Sequence, residues 1–105
     1  MGDSNPSSTE LLKTILEPLL EDFHYWFERS LQLLENEKIQ FMSEQEQLDL
    51  LQRVKEAQAE LSTAKMLFTA TNKQVGIDMA TLMPWHQLLT ECGNVGMRYR
   101  QSKQE

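Results

Sequence analysis

"SEQEQLDLLQRVKEAQAELSTAKMLF", residues 43–68, decides the fold, because a helix start is followed by a long apolar repeat. Ser43 and Glu46 have the S-x-x-E spacing of a capping box, in which each side chain binds the backbone N–H of the other residue. Apolar residues then alternate at steps of four and three, as on a helix face that packs against another helix. They are Leu50, Val54, Ala57, Leu61, Ala64 and Phe68. This stretch predicts one long amphipathic helix.

The preceding stretch, "TELLKTILEPLLEDFHYWFERSLQLLE" at residues 9–35, has an apolar repeat of the same kind. Its predicted buried stripe consists of Leu12, Leu16, Leu19, Phe23, Trp26, Ser30 and Leu33. Ser8 or Thr9 is the expected N-cap. Pro18 removes one backbone donor, so the helix should either kink there or begin with a short separate turn, and the unbroken stripe favours the kink. Because the short connector "NEKIQFM" at 36–42 joins two segments of similar length, we expect an antiparallel hairpin.

A third helix is expected in "MPWHQLLTECGNVGMRYR", residues 83–100. Pro84 suits the first position of a helix, where its missing N–H has no helical partner in any case. The apolar stripe here is Trp85, Leu88, Cys92, Val95 and Tyr99. Gly93 and Gly96 either end the helix early or mark a groove where another helix approaches, and the resumed pattern after them favours the groove.

The fold class that follows is all-α: a long antiparallel helical hairpin with a third helix packed along it, a three-helix bundle. One domain is expected over residues 9–101, between a flexible N-terminus (1–8) and a flexible C-terminus (102–105). The predicted core consists of Leu16, Leu19, Phe23, Trp26, Val54, Leu61, Phe68, Trp85, Leu88, Cys92 and Val95.

Composition narrows the classes of function. The chain has 105 residues, 40% hydrophobic and 25% charged, with a net charge of -6, so it is globular and repels phosphate backbones. We therefore expect no nucleic-acid partner. One cysteine cannot form an internal disulfide, and neither a leader nor a run of about 18 apolar residues is present, so we expect a cytoplasmic protein without a membrane span.

Motifs for catalysis are missing from the sequence. It contains no G-x-x-x-x-G-K-[ST], G-x-G-x-x-G, C-x-x-C, G-x-S-x-G or H-E-x-x-H, and we expect neither an enzyme nor a bound cofactor. Glu21 and His24 do form one E-x-x-H pair, the spacing found in di-iron four-helix bundles. Because the second such pair is missing around His86, a metal site is the weaker interpretation. Cys92 lies about 120° around the helix from His86, so a nucleophile and base pair is unfavourable and a buried cysteine is favoured.

Four consecutive ring residues, "HYWF" at 24–27, surround the first helix and cannot all lie on one buried stripe. The bland interpretation is that the third helix and the connectors cover them. The sharper one is a contact surface for a protein partner or a homodimer, formed by Glu21, His24, Tyr25 and Glu28. A pigment or another flat cofactor stacked on the aromatic rings, or a metal held by His24 and nearby carboxylates, are the alternatives.

Three blocks of the sequence carry a resemblance: "LLKTILEPLLEDFHYWF", "FMSEQEQLDLLQRVKEAQAELSTAKMLF" and "GIDMATLMPWHQLLTECGNV". Together they resemble a small family of cyanobacterial proteins, all-helical and known as a domain of unknown function. The resemblance implies one compact domain in the cytoplasm of a photosynthetic bacterium. It implies no activity, ligand or site residue. The function expected from the residues is a non-enzymatic protein-interaction or regulatory module.

Overall fold

The computed structural model of the chain describes residues 5–71 and 79–104, and the side chains of residues 14–71 and 80–103. Three helices make up this part of the chain: α1 (Asn5–Asn36), α2 (Glu44–Ala70) and α3 (Met79–Gln104). No strand occurs among these residues. The all-α three-helix prediction is confirmed, and the molecule is elongated, with extents of 60 × 24 × 19 Å.

The capping box at the start of α2 is present as predicted. Ser43 has an extended backbone, its Oγ accepts the Glu46 backbone N–H at 3.0 Å, and its own N–H donates to Glu46 Oε1 at 2.8 Å. A second clamp holds the connector: Gln47 Nε2 donates to the carbonyls of Leu34 and Glu37, and Gln47 Oε1 accepts the Ile39 N–H at 3.1 Å. The tight turn between α1 and α2 is therefore fixed by side chains of the first turn of α2.

The predicted starts of α1 and α3 require correction, whereas at Pro18 the helix continues, as the favoured interpretation expects. α1 begins at Asn5, so Ser8 and Thr9 lie inside the helix and the predicted N-cap is wrong. α1 also continues through Pro18, which excludes a separate first turn. Pro84 is not the first residue of α3, because that helix already begins at Met79. A proline this close to a helix start removes only one bond of the helical ladder, which the packing of the next residue, Trp85, can offset.

The three helices run up, down and up. Two salt bridges join α1 to α2: Glu21 with Lys65 at 3.1 Å, and Glu35 with Lys55 at 3.5 Å. The later residue of α1 pairs with the earlier residue of α2, so these two helices are antiparallel. α1 and α3 are parallel, because the Phe23–Trp85 ring contact and the Glu37–Tyr99 hydrogen bond each join residues 62 positions apart. α1 packs against both neighbours, and α2 and α3 touch each other least.

The core runs along all three helices and the connector. Its buried members are Leu16, Leu20, Phe23, Phe27, Leu34, Ile39, Leu50, Val54, Ala57, Leu61, Phe68, Trp85, Leu88 and Cys92. Eight of the eleven predicted positions are confirmed, while Leu19 and Val95 are only partly buried. Gly93 and Gly96 lie inside α3, so the helix continues through them as expected.

Trp26 was placed in the core, and this is wrong: its side chain is 48% exposed, whereas the adjacent Phe27 is fully buried. Consecutive residues lie about 100° apart on a helix, so the buried face of α1 is rotated from Trp26 toward Phe27. This rotation agrees with the packing of α1, which is more extensive against α2 than against α3. The apolar stripe of one helix does not indicate which of two neighbouring helices packs against it more extensively.

Candidate functional site

The four residues of the predicted contact surface are divided between two environments. Glu21 binds Lys65, and Glu28 Oε1 accepts a hydrogen bond from Gln58 Nε2 at 2.9 Å, so both carboxylates lie along α2. His24 is exposed and borders the same α1–α2 seam. Tyr25 lies apart from these three and contacts residues of its own helix.

Tyr25, Trp26 and Arg29 form a stacked group at the surface, which we call the Tyr–Trp–Arg cluster. The Tyr25 and Trp26 rings meet edge to face with centroids 5.0 Å apart. The Arg29 guanidinium carbon lies 5.8 Å from each ring centroid, and its Nη1 donates to Tyr25 Oη at 3.0 Å. Helix geometry explains this group, because residues four apart are neighbours on one face and a guanidinium is attracted to an aromatic ring.

The cluster borders an open groove of about 430 Å³ between α1 and α3, the α1–α3 groove. Trp26, Arg29 and Leu33 line it from α1. Leu89, Gly93, Gly96 and Arg100 are among the residues that line it from α3. The groove explains why Trp26 is half exposed, since no side chain of the described residues fills the space beside it.

Because Gly93 and Gly96 have no side chains, they leave space on the α3 side of the groove. A Cβ added at Gly93 would meet no atom within 4 Å, so the space beside it is open. A Cβ added at Gly96 would lie 3.4 Å from Arg100 Nη1, the end of a flexible side chain. The helix continues through both glycines and both line a groove, which agrees with the first part of the favoured sequence interpretation. Whether another helix approaches there remains a prediction.

Positive charge dominates the α1–α3 groove. Among the described residues that line it, two are arginines and none is Asp or Glu. Within the described part of the chain, neither Arg29 nor Arg100 forms an ion pair with a carboxylate. The groove therefore differs in sign from the net charge of -6.

Arg53 of α2 pairs with Glu91 of α3, outside the groove, and can be compared with the two groove arginines. Its two Nη atoms donate to the two carboxylate oxygens of Glu91 at 3.0 and 2.6 Å. This hydrogen bonding raises the pKa of Arg53 and lowers the pKa of Glu91. The comparison shows that Arg29 and Arg100 are available for an external carboxylate in a way that Arg53 is not.

Cys92 lies at the floor of the α1–α3 groove and is 6% exposed. Burial raises the pKa of its thiol, and a hydrogen bond with Ser30 opposes that shift in part. A raised pKa lowers the thiolate fraction at neutral pH, so the residue is suited to packing rather than to nucleophilic chemistry.

No group of three or more His, Cys, Asp or Glu side chains is placed to hold a metal ion in the described part of the chain. Glu21 of the E-x-x-H pair is engaged by Lys65. His86 is exposed on α3. Among the described residues, His24 therefore belongs to no such group.

Sequence reasoning located Tyr25 and His24 at the surface, and the structure places both there. It missed Trp26, Arg29 and Arg100. The i, i+4 spacing of Tyr25 and Arg29 was a usable signal, because that spacing brings a guanidinium over a ring. For the α1–α3 groove, Gly93 and Gly96 were a signal, but its width and its arginines were not predictable, since they depend on how far apart two helices lie.

Comparison with known proteins identifies one matching family model. A family model described as "Protein of unknown function (DUF2605)" matches residues 6–101. No curated protein and no solved structure matches the chain. Over the residues that the structure describes, none of the helices is long and apolar enough to cross a membrane.

Proposed function

We propose that this chain, which belongs to the DUF2605 family of proteins of unknown function, is a non-enzymatic protein-interaction module. Its contact surface is centred on the Tyr–Trp–Arg cluster. The observation that supports this is the exposure of Tyr25 at 51% and Trp26 at 48%, side by side and held by Arg29. Tyr, Trp and Arg are the residue types most enriched where binding energy concentrates in protein interfaces.

Preorganisation supports the same proposal. The cluster is fixed by one hydrogen bond and three ring contacts on a single helix, so binding would require little ordering of its side chains. A regulatory or adaptor role needs such a surface and needs no reacting group.

Glu21, His24 and Glu28 form the proposed rim of the surface on the α2 side. Glu21 and Glu28 stay exposed although each contacts α2, and His24 is exposed beside them. Rim charges act mainly on association rate and specificity. We propose a protein partner rather than a nucleic acid, because the net charge is -6. The proposed setting, the cytoplasm of a cyanobacterium, rests only on the resemblance of the three sequence blocks.

The test is affinity capture from the cells that produce the protein, with two matched double variants. Tyr25→Ala with Trp26→Ala removes the centre of the surface. Met66→Ala with Leu67→Ala removes two adjacent exposed residues of α2, 68% and 51% exposed, and serves as the control. The proposal expects a captured protein to be lost with the first variant and kept with the second, at equal helix content. Equal capture by both variants would contradict it.

A further inference from the structure

We infer that the α1–α3 groove binds an acidic, amphipathic α-helix of a partner protein. This rests on the proposed function and adds the chemistry of the partner. The partner helix would place apolar residues in the groove and Asp or Glu residues against Arg29 and Arg100.

The dimensions of the groove fit a helix. Its α3 side runs from Leu89 to Arg100, which at the helical rise is about 16 Å, or roughly three turns. Open space beside Gly93 lets a partner backbone come close, as small residues do at tight helix crossings. A helix laid there would pack against both α1 and α3 and complete a four-helix arrangement.

Apolar and charged groups are arranged as helix-in-groove recognition requires. Leu33, Leu89 and the exposed face of Trp26 offer an apolar strip for the i, i+3, i+4 positions of a partner helix. Arg29 and Arg100 stand at the two sides of that strip, with no Asp or Glu among the described lining residues. Guanidinium groups without a carboxylate partner select for an acidic helix by charge complementarity.

The same charges disfavour a second copy of this chain. In a twofold dimer the same surface patch meets itself, so a dimer formed through the groove would bring Arg29 and Arg100 of both copies together. Juxtaposed like charges at an interface oppose association. The occupant is therefore a different chain with an acidic helix.

The experiment measures binding of labelled synthetic peptides by fluorescence anisotropy. One peptide of about 18 residues, long enough to form a helix when bound, has Leu and Ala on one face and Glu on the other. A second has Lys in place of Glu, and a third has the composition of the first in a scrambled order. The inference expects binding of the first, and about tenfold weaker binding or none for the others, with the first weakening as salt rises.

Two pairs of variants locate the binding. Gly93→Leu fills open space in the groove, and Asn94→Leu introduces the same side chain one position away, outside the groove lining. Arg100→Glu reverses a groove charge, and Lys38→Glu makes the same change in the connector. The first member of each pair should lose at least about tenfold in affinity and the second should not. Helix content and melting, measured alongside, identify any variant that has failed to fold, and for Gly93 the smaller change Gly93→Val would then replace it.

Each result decides the inference. No binding of the acidic peptide, equal binding of acidic and basic peptides, or full binding by Gly93→Leu would overturn it. Concentration-dependent dimerisation that Gly93→Leu abolishes would overturn it as well, because the occupant would be a second copy. If cellular capture requires Tyr25 and Trp26 but is unchanged by Gly93→Leu, the inference fails while the proposed function stands. If capture is unchanged by either set of variants, both fail.

Discussion

Phe27 and Trp26 are neighbours in sequence with opposite environments, and they give the first prediction. Phe27 is fully buried and its ring stacks on Phe23 with centroids 6.0 Å apart. Phe27→Ala should lower the free energy of unfolding by about 3–5 kcal/mol, because a large buried ring is replaced by a cavity. Trp26→Ala should cost less than about 1.5 kcal/mol, since half of that side chain already meets water.

Urea denaturation followed by circular dichroism measures both changes. The midpoint should fall sharply for Phe27→Ala at an unchanged slope, and only slightly for Trp26→Ala. A larger loss for Trp26→Ala than for Phe27→Ala would show that the face of α1 has been assigned to the wrong side.

Cys92 gives a second prediction at this scale. Because burial both shields the thiol and raises its pKa, a thiol reagent should label the native protein slowly at pH 7–8 and the urea-unfolded protein rapidly. The two rates should differ by at least about tenfold if labelling requires local opening. Native labelling as fast as unfolded labelling would mean that the thiol is open to solvent through the α1–α3 groove.

The spacing of apolar residues predicted most of the buried side chains but could not predict the rotation of α1. The repeat fits Trp26 and Phe27 nearly equally, since each continues a step of three or four from Phe23. Which one is buried depends on the relative areas that α2 and α3 bury on α1. That quantity is tertiary and has no signature in a single helix.

Among the elements, α2 has the best-defined start, and the capping box accounts for it. Ser43→Ala removes the acceptor of the Glu46 N–H and should lower the free energy of unfolding by about 1 kcal/mol. Ser43→Asp keeps an acceptor and adds a charge favoured at a helix N-terminus, so it should be neutral. Thermal melting distinguishes the two, and equal losses would mean that the cap contributes through something other than this hydrogen bond.

Between α2 and α3, the Arg53–Glu91 pair makes stability depend on pH. The pKa of Glu91 is lower in the folded chain, so its contribution is present above the ordinary carboxyl pKa and is lost as pH falls through the folded value. The side chains are 49% and 46% exposed, which limits the contribution to at most about 1 kcal/mol at pH 7.

Glu91→Gln should therefore be slightly less stable than the unchanged chain at pH 7. The difference should shrink as pH falls and disappear only below the lowered folded pKa of Glu91, where the carboxyl is protonated in both states. Urea midpoints over a descending pH series measure it, and Asp22→Asn, which removes an exposed carboxylate from the middle of α1, is a control for a general loss of charge. A difference that does not shrink at all as the pH falls would assign the effect to packing instead of to the ion pair.

Helix existence was predictable because each helix has a long repeat, whereas helix ends were predictable only at Ser43. There the side chains themselves mark the boundary. At Pro84 a local rule misplaced the helix start, because packing of the helix on either side offsets one missing hydrogen bond, whereas at Pro18 the unbroken apolar stripe correctly indicated that the helix continues. Gln47 had no sequence signal at all, since it acts on a connector whose path is tertiary.

At the scale of the whole molecule, the arrangement of the helices decides where a partner could bind. α1 packs between two helices that touch each other least, so its outer surface and its groove with α3 are left open. Antiparallel pairing of α1 and α2 followed from their lengths and short connector. The parallel packing of α1 and α3 and the unpaired arginines between them could not be predicted, because the sequence does not show how far apart two helices lie.

Trp85 is a side chain of α3 that contacts both other helices, and it carries the last prediction. Its ring meets Phe23 of α1 edge to face at 5.9 Å, and its Nε1–H donates to Glu60 of α2 at 3.1 Å, while the side chain is 2% exposed. Trp85→Ala should cost about 3–5 kcal/mol, a large part of the 5–15 kcal/mol typical of a domain.

Trp85→Phe keeps a ring against Phe23 but loses the hydrogen bond to Glu60, so its cost should be intermediate. Glu60→Gln keeps an oxygen acceptor for the Trp85 N–H and should stay within about 0.5 kcal/mol of the unchanged chain. Urea unfolding monitored by circular dichroism ranks the three variants, and the remaining tryptophan, Trp26, reports separately on the surface of α1. The expected result for Trp85→Ala is a single transition at a lower midpoint, because α1 contributes the same buried face to both neighbours. Unfolding in two steps, with α3 released before the α1–α2 hairpin, would show that the three helices do not form one cooperative unit.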